Sequence, residues 1–129
     1  MAVTEAVENY LETIHILSLA KPEVHAVDIC NHLNYSRPTV SIVLRQMKDQ
    51  DLVKVDEHNH IRLTPKGREI AISIYERHVL LTRMFESLGV PREIAQEDAC
   101  KVEHDLSPET FEAIKRHYRE EHSPESENV

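Results

Sequence analysis

Only two glycines and no glycine/serine stretch occur in the 129 residues, so the chain has few places to flex. No apolar run approaches the roughly 20 residues that cross a bilayer, and the opening MAVTEAVENY lacks the basic and apolar regions of a signal peptide. A cytoplasmic protein without a membrane partner is the expectation. Cysteine is scarce too: Cys30 and Cys100 stand far apart, and without a secretory signal they are expected to be reduced thiols rather than a disulfide. An excess of positive charge is also missing. A net charge of -8 excludes a general polyanion binder, which attracts phosphate through surplus Lys and Arg. The charge is unevenly spread, however. From Val24 to Lys66 the basic Arg37, Arg45, Lys48, Lys54, Arg62 and Lys66 nearly balance Asp28, Asp49, Asp51, Asp56 and Glu57, whereas Glu86 to Glu127 is acidic. A near-neutral first part and an acidic second part predict separate tasks.

With 40% hydrophobic residues the chain can bury one core, or two small cores sharing an interface. Hydrophobic spacing predicts a largely helical protein. Thr4 caps a first helix in which Val7, Tyr10, Leu11, Ile14, Leu17 and Ser18 recur on one face up to Ala20, and Pro22 follows its end. A short helix over Ala26 to Leu33, a tight connection at Asn34-Tyr35, and a third helix from Ser36 to Gln50 come next, with Pro38 in the first turn. Val40, Val43, Leu44 and Met47 keep the helical period there. The period then changes to two in Leu52 to Val55 and in Ile61 to Leu63, around the polar tip Asp56-Glu57-His58-Asn59-His60. Thr64-Pro65 restarts helix, and Ile70, Ile74, His78, Leu81 and Phe85 form a long stripe ending near Gly89. Helices over Arg92 to Leu106 and from Ser107 to His122 complete the pattern. The fold class read from this is mainly α with a small β wing. Residues 1–64 form a winged helix-turn-helix, 65–122 a helical domain, and 123–129 a disordered tail.

Two constellations carry chemistry. In a winged helix-turn-helix the second helix of the pair enters the DNA major groove amino end first, because that groove is wide and displays a distinguishable donor and acceptor pattern. Ser36, Arg37, Pro38, Thr39, Ser41 and Arg45 occupy those positions, the hydroxyls suited to phosphate and thymine, Arg37 to guanine or phosphate. The second constellation is Cys100, Glu103 and His104, a thiolate, a carboxylate and an imidazole on one helical face. Such mixed donors suit a late first-row divalent ion rather than calcium or magnesium. From the spacing alone, a buried cysteine beside a solvated acidic face fits as well. Asn9 and Glu12 share a face of the first helix. His78 interrupts an apolar stripe, where a single histidine is commonly a hydrogen-bonded core residue, and His15 reads as a packing residue.

The order of these motifs resembles the diphtheria toxin repressor family, which includes the manganese transport regulators, from Thr4 to about Tyr118. TEAVENYLETIHIL, YSRPTVSIVLRQMKDQDLVKV, LTPKGREIA, ERHVLL and EDACKVEHDLS carry the resemblance. It implies a winged helix joined to a helical dimerisation domain, with a metal ion held between the first helix, the long helix and the helix after it. Residue by residue, it implies metal ligands at Asn9, Glu12, His78, Cys100, Glu103 and His104. Asn9 stands where iron-responsive members have methionine and manganese-responsive members aspartate, and Cys100 follows the iron branch. Glu12 and His78 follow the manganese branch, and Thr82 and Gln96 replace ligands of the iron branch's ancillary site. The chain also stops before the position of that branch's SH3-like domain.

The reading is therefore a homodimeric, Mn(II)- or Fe(II)-activated regulator of metal-homeostasis genes that binds a double-stranded DNA operator, and not an enzyme acting on a small organic substrate. The alternative is a winged-helix regulator that senses no metal and uses Cys100 as a redox thiol.

Overall fold

The computed structural model describes residues 3–121, so the expected tail and the end of the last helix at His122 lie outside the described residues. The described elements are α1 (Glu5–Ala20), α2 (Ala26–Leu33), α3 (Arg37–Asp49), β1 (Val53–Val55), β2 (Ile61–Leu63), α4 (Pro65–Ser87), α5 (Arg92–Val102) and α6 (Pro108–Glu121). They form two compact units that divide inside α4, after Tyr75.

In the first unit the helices begin where the sequence provides a cap. Thr4 accepts from the Val7 N–H at 3.2 Å, and Glu5 and Glu8 in the first turn of α1 favour its positive dipole end. The Asp28 carboxylate accepts from the His25 N–H at 2.8 Å at the start of α2 and from Lys21 Nζ at 2.6 Å. These bonds, the Lys21 one foremost, hold the Asp28 carboxyl below its ordinary pKa. Because the folded value lies below the unfolded one, the stabilisation is present above the unfolded value and lost as pH falls through the folded one. Asp28→Ala is expected to cost about 1 kcal/mol at neutral pH, and chemical denaturation repeated in acid should show the gap to wild type closing below about pH 4. Asn34 then turns the chain with φ 59°, a left-handed conformation that asparagine tolerates. Ser36 caps α3 by accepting from the Thr39 N–H at 3.4 Å.

The apolar faces of α1, α2 and α3 and the inner face of the wing meet in one core, in which Leu11, Ile29, Met47 and Leu52 are fully buried. Each such side chain contributes on the order of 2 kcal/mol. β1 and β2 are antiparallel, with Val53 opposite Leu63, Lys54 opposite Arg62 and Val55 opposite Ile61. Val53 and Ile61 face the core while Lys54 and Arg62 are exposed. The first eleven residues of α4 belong to this unit: Ala71 joins its core and Gly67 passes against Leu52.

The second unit comprises the rest of α4 with α5 and α6, and buries Leu81, Ala95, Ala99 and Phe111. Lys115 of α6 pairs with Glu76 of α4. Leu88 and Ile94 are left exposed, at 75% and 50%.

Three expectations need correction. Ser18 does not extend the buried face of α1; it is exposed, and its hydroxyl donates to the His15 carbonyl at 2.6 Å. His60, the last residue of the polar tip, is not exposed like its neighbours: its N–H donates to Asp56 Oδ1 at 2.9 Å, and the residue is 7% exposed. Finally, α5 stops at Val102 rather than Leu106. Glu103 is its C-cap, and the Asp105 N–H turns back to the Val102 carbonyl at 3.0 Å.

Candidate metal centre and nucleic-acid interface

α3 and the wing border a groove of about 450 Å³ in the first unit. Arg37, Ser41, Arg45 and Lys48 line it from α3, and His58 and Asn59 from the wing. Of the six residues expected to read DNA, all are exposed, but only Arg37, Ser41 and Arg45 line this groove. Ser36 and Thr39 share a hydroxyl hydrogen bond of 2.8 Å at the helix start, and Pro38 stands beside them in the first turn. Lys48, His58 and Asn59 were missed. Lys48 was legible, since it continues the spacing of Arg37, Ser41 and Arg45 along one helical face. The wing residues depend on where the turn places them.

α1 carries the two expected ligands of the first unit. Glu12 is 7% exposed and Asn9 half-buried. A carboxylate so far removed from water must have its charge compensated. On the same helix His15 packs edge-on against Tyr75, with ring centroids 5.3 Å apart, and burial, assisted by the Arg68 charge, lowers its pKa. That fits the packing role expected of it.

In the second unit, His78 of α4 and Glu103 at the end of α5 meet. His78 Nδ1 lies 3.0 Å from Glu103 Oε2. His104 Nε2 lies 3.5 Å from the other carboxylate oxygen, Oε1, which makes no hydrogen bond among the described residues. Glu103 is 0% exposed and the His104 side chain 1%. A fully buried carboxylate between two imidazoles is an arrangement of oxygen and nitrogen donors suited to a divalent transition ion. Glu103 and His104 follow the helix, while Cys100, still within it, is exposed. Within this unit the described residues bring together His78, Glu103 and His104, and Cys100 is exposed.

Glu103 is not held by its side chain alone. Arg77, next to His78 on α4, donates from Nη1 to the Glu103 carbonyl at 3.0 Å and to the Leu106 carbonyl at 2.7 Å. Ser107 then starts α6 by accepting from the Thr110 N–H at 3.1 Å. Arg77 had no visible role in the sequence, because nothing in its neighbourhood marks it as bonded to backbone so distant along the chain.

Among the described residues no helix is long and apolar enough to cross a membrane. Two family models match the chain: the N-terminal DNA-binding domain of iron-dependent repressors over residues 2–61, and their metal-binding and dimerisation domain over residues 64–127. The transcriptional regulator MntR of Salmonella typhimurium is 33% identical over 110 residues, covering 85% of this chain and 70% of that protein. The iron-dependent repressor IdeR of Mycobacterium tuberculosis is 33% identical over 106 residues, 81% of this chain and 46% of that protein. Among solved structures, the manganese regulator SloR aligns over 92% of this chain and 55% of its own, with a TM-score of 0.77 and 27% identity. IdeR of T. acidophilum aligns over the same shares with a TM-score of 0.75 and 27% identity. This chain thus spans about half the length of those solved structures. With a winged helix ahead of a helical unit that buries a carboxylate between imidazoles, and both domain models in that order, the chain belongs to the diphtheria toxin repressor family of metal-dependent transcriptional regulators.

Proposed function

We propose that this protein is a cytoplasmic, homodimeric repressor whose operator binding is switched on by Mn(II) or Fe(II). The observation that carries the reading is Glu103, a fully buried carboxylate flanked by His78 and His104 in a chain that begins with a winged helix. His78, Glu103 and His104 are the proposed ligands of the second unit, joined by Cys100, and by Asn9 and Glu12 from α1. When bound, the ion would supply the positive charge that compensates the carboxylates among its ligands.

The chain's own groups prepare for this. A divalent cation competes with protons for imidazole nitrogen and carboxylate oxygen, so affinity for the ion rises with pH. Moving the active form from 1% to 99% takes about 5.5 kcal/mol of differential affinity, which a multidentate site can provide. Arg37, Ser41, Arg45 and Lys48 meet the duplex, the hydroxyl and the cations taking phosphates and base edges. Exposed Leu88 and Ile94 in the second unit, together with relatives that carry a dimerisation domain there, support pairing of two chains.

Operator fragments selected from genomic DNA and titrated by fluorescence anisotropy under anaerobic conditions test the proposal. Addition of Mn(II) or Fe(II) should tighten binding at least tenfold over chelated protein. Arg45→Ala should weaken it by about 1–3 kcal/mol if Arg45 reads a base; if it meets only phosphate, the salt slope falls by about one. DNA affinity indifferent to metal sinks the proposal. The exposure of Cys100 favours one second reading, a redox thiol that controls DNA binding without metal. That reading requires peroxide to change operator affinity in metal-free protein and Cys100→Ala to abolish the effect.

A further inference from the structure

α4 directs two consecutive side chains to the segment that follows α5. His78 meets the Glu103 side chain at 3.0 Å, whereas Arg77 takes the backbone. One guanidinium nitrogen, Nη1, donates to the Glu103 and Leu106 carbonyls at 3.0 and 2.7 Å. The Glu103 carbonyl, at the C-cap of α5, lacks an intrahelical partner and lies at the negative end of the helix dipole, so a cation is the fitting donor. Pro108, at the start of α6, has no N–H to offer either carbonyl. The same guanidinium lies over the Phe111 ring, with Cζ 5.1 Å from its centroid, and Phe111 is buried. Arg77 therefore fastens the short segment between α5 and α6 to α4 from the backbone side, and that segment contains Glu103 and His104.

We propose that Arg77 is the positioning residue of the metal centre, fixing the Glu103 carboxylate and His104 imidazole before an ion arrives. The proposal rests on the reading of His78, Glu103 and His104 as metal ligands. Without Arg77 the C-cap of α5 is free to unwind or to wind on, and either change swings Glu103 away from His78. Ordering the segment at the moment of binding then draws on the binding energy itself. Partners one step removed from a metal typically carry 10–100-fold in affinity.

Three variants of the full chain separate this role from general stability. Arg77→Met keeps the length and the packing on Phe111 but removes the donor, Arg77→Lys keeps a charged donor without the planar group, and Phe111→Leu loosens the core while leaving the hydrogen bonds in place. Mn(II) affinity is measured by competition with a chelating dye, and amide exchange of metal-free protein is followed over residues 103–107. Arg77→Met should bind Mn(II) about 10–100-fold more weakly, with faster exchange confined to that segment, and Arg77→Lys should fall between it and wild type. Phe111→Leu should lower the melting temperature yet change Mn(II) affinity less than threefold. Arg77→Met binding Mn(II) within threefold of wild type overturns the proposal, and so does Phe111→Leu matching its loss. Wild-type protein that takes up no Mn(II) removes the ligand reading and the proposal together, whereas normal uptake by both wild type and Arg77→Met removes the proposal alone.

Discussion

Glu103→Gln is expected to cut Mn(II) affinity by more than a hundredfold while leaving the metal-free protein as stable as wild type or more so. The first half follows from its place as the fully buried carboxylate that both imidazoles approach. Loss of a direct ligand exceeds the 10–100-fold carried by outer partners. The second half follows from burial. Withdrawing a carboxylate from water costs several kcal/mol that pairing only partly returns, and a neutral group of the same shape avoids that cost. Glutamine keeps an oxygen for His78 Nδ1, so the 3.0 Å contact survives without the charge. Melting curves with and without Mn(II) give both results. Ligand at a thousandfold over Kd stabilises the wild type by about 4 kcal/mol, and the variant should show little of that shift. A variant melting well below wild type in chelator, or shifting with Mn(II) as wild type does, would falsify the assignment of Glu103 to a centre that accepts structural cost for function.

Gly67→Ala should be among the most damaging single changes away from that centre. In an exposed helix this substitution normally gains about 1 kcal/mol. Here a methyl carbon on Gly67 would stand 2.1 Å from the Leu52 carbonyl oxygen, inside any tolerated contact. The carbonyl cannot step aside easily, because it accepts from the Thr64 N–H at 3.0 Å. Thr64 is itself tied, donating to the Asp51 carbonyl at 2.6 Å and accepting from the Gly67 N–H at 3.1 Å. Overpacking of this kind costs about 3 kcal/mol, which for a chain of this size lowers the melting temperature by roughly 10 °C. A loss under about 2 °C would show that α4 can lift off the wing cheaply. Operator affinity offers a second readout, since this contact joins α4 to the unit that carries α3.

Much of the architecture was legible because the deciding signals are local. Thr4, Ser36 and Thr64 mark helix starts whose geometry depends on residues three positions on, and the change of period at Leu52 needs no tertiary knowledge. Glu103 and His104 were legible as a pair of donors, but their setting was not. Extending α5 to Leu106 was the natural reading of helical propensity, yet Arg77, from another helix, claims the carbonyls at its end. Cys100 is exposed, whereas Glu103 and the His104 side chain are buried. His60 escaped for a similar reason: the tip sequence is polar throughout, and only the bonds from Asp56 to the His58 and His60 N–H groups decide that the histidine folds under. The groove residues of the wing depend on the same turn.

The register of that wing sets Lys54 directly opposite Arg62, both exposed. Like charges across a strand pair oppose each other, so this ribbon contains a locally frustrated contact that its apolar inner face must outweigh. Arg62 relieves part of it by leaning its Nε toward His60 Nδ1 at 3.4 Å. Low ionic strength removes the screening that dissolved salt provides against the rest. In dilute buffer the ribbon therefore carries the most of this repulsion, and rising salt relaxes it.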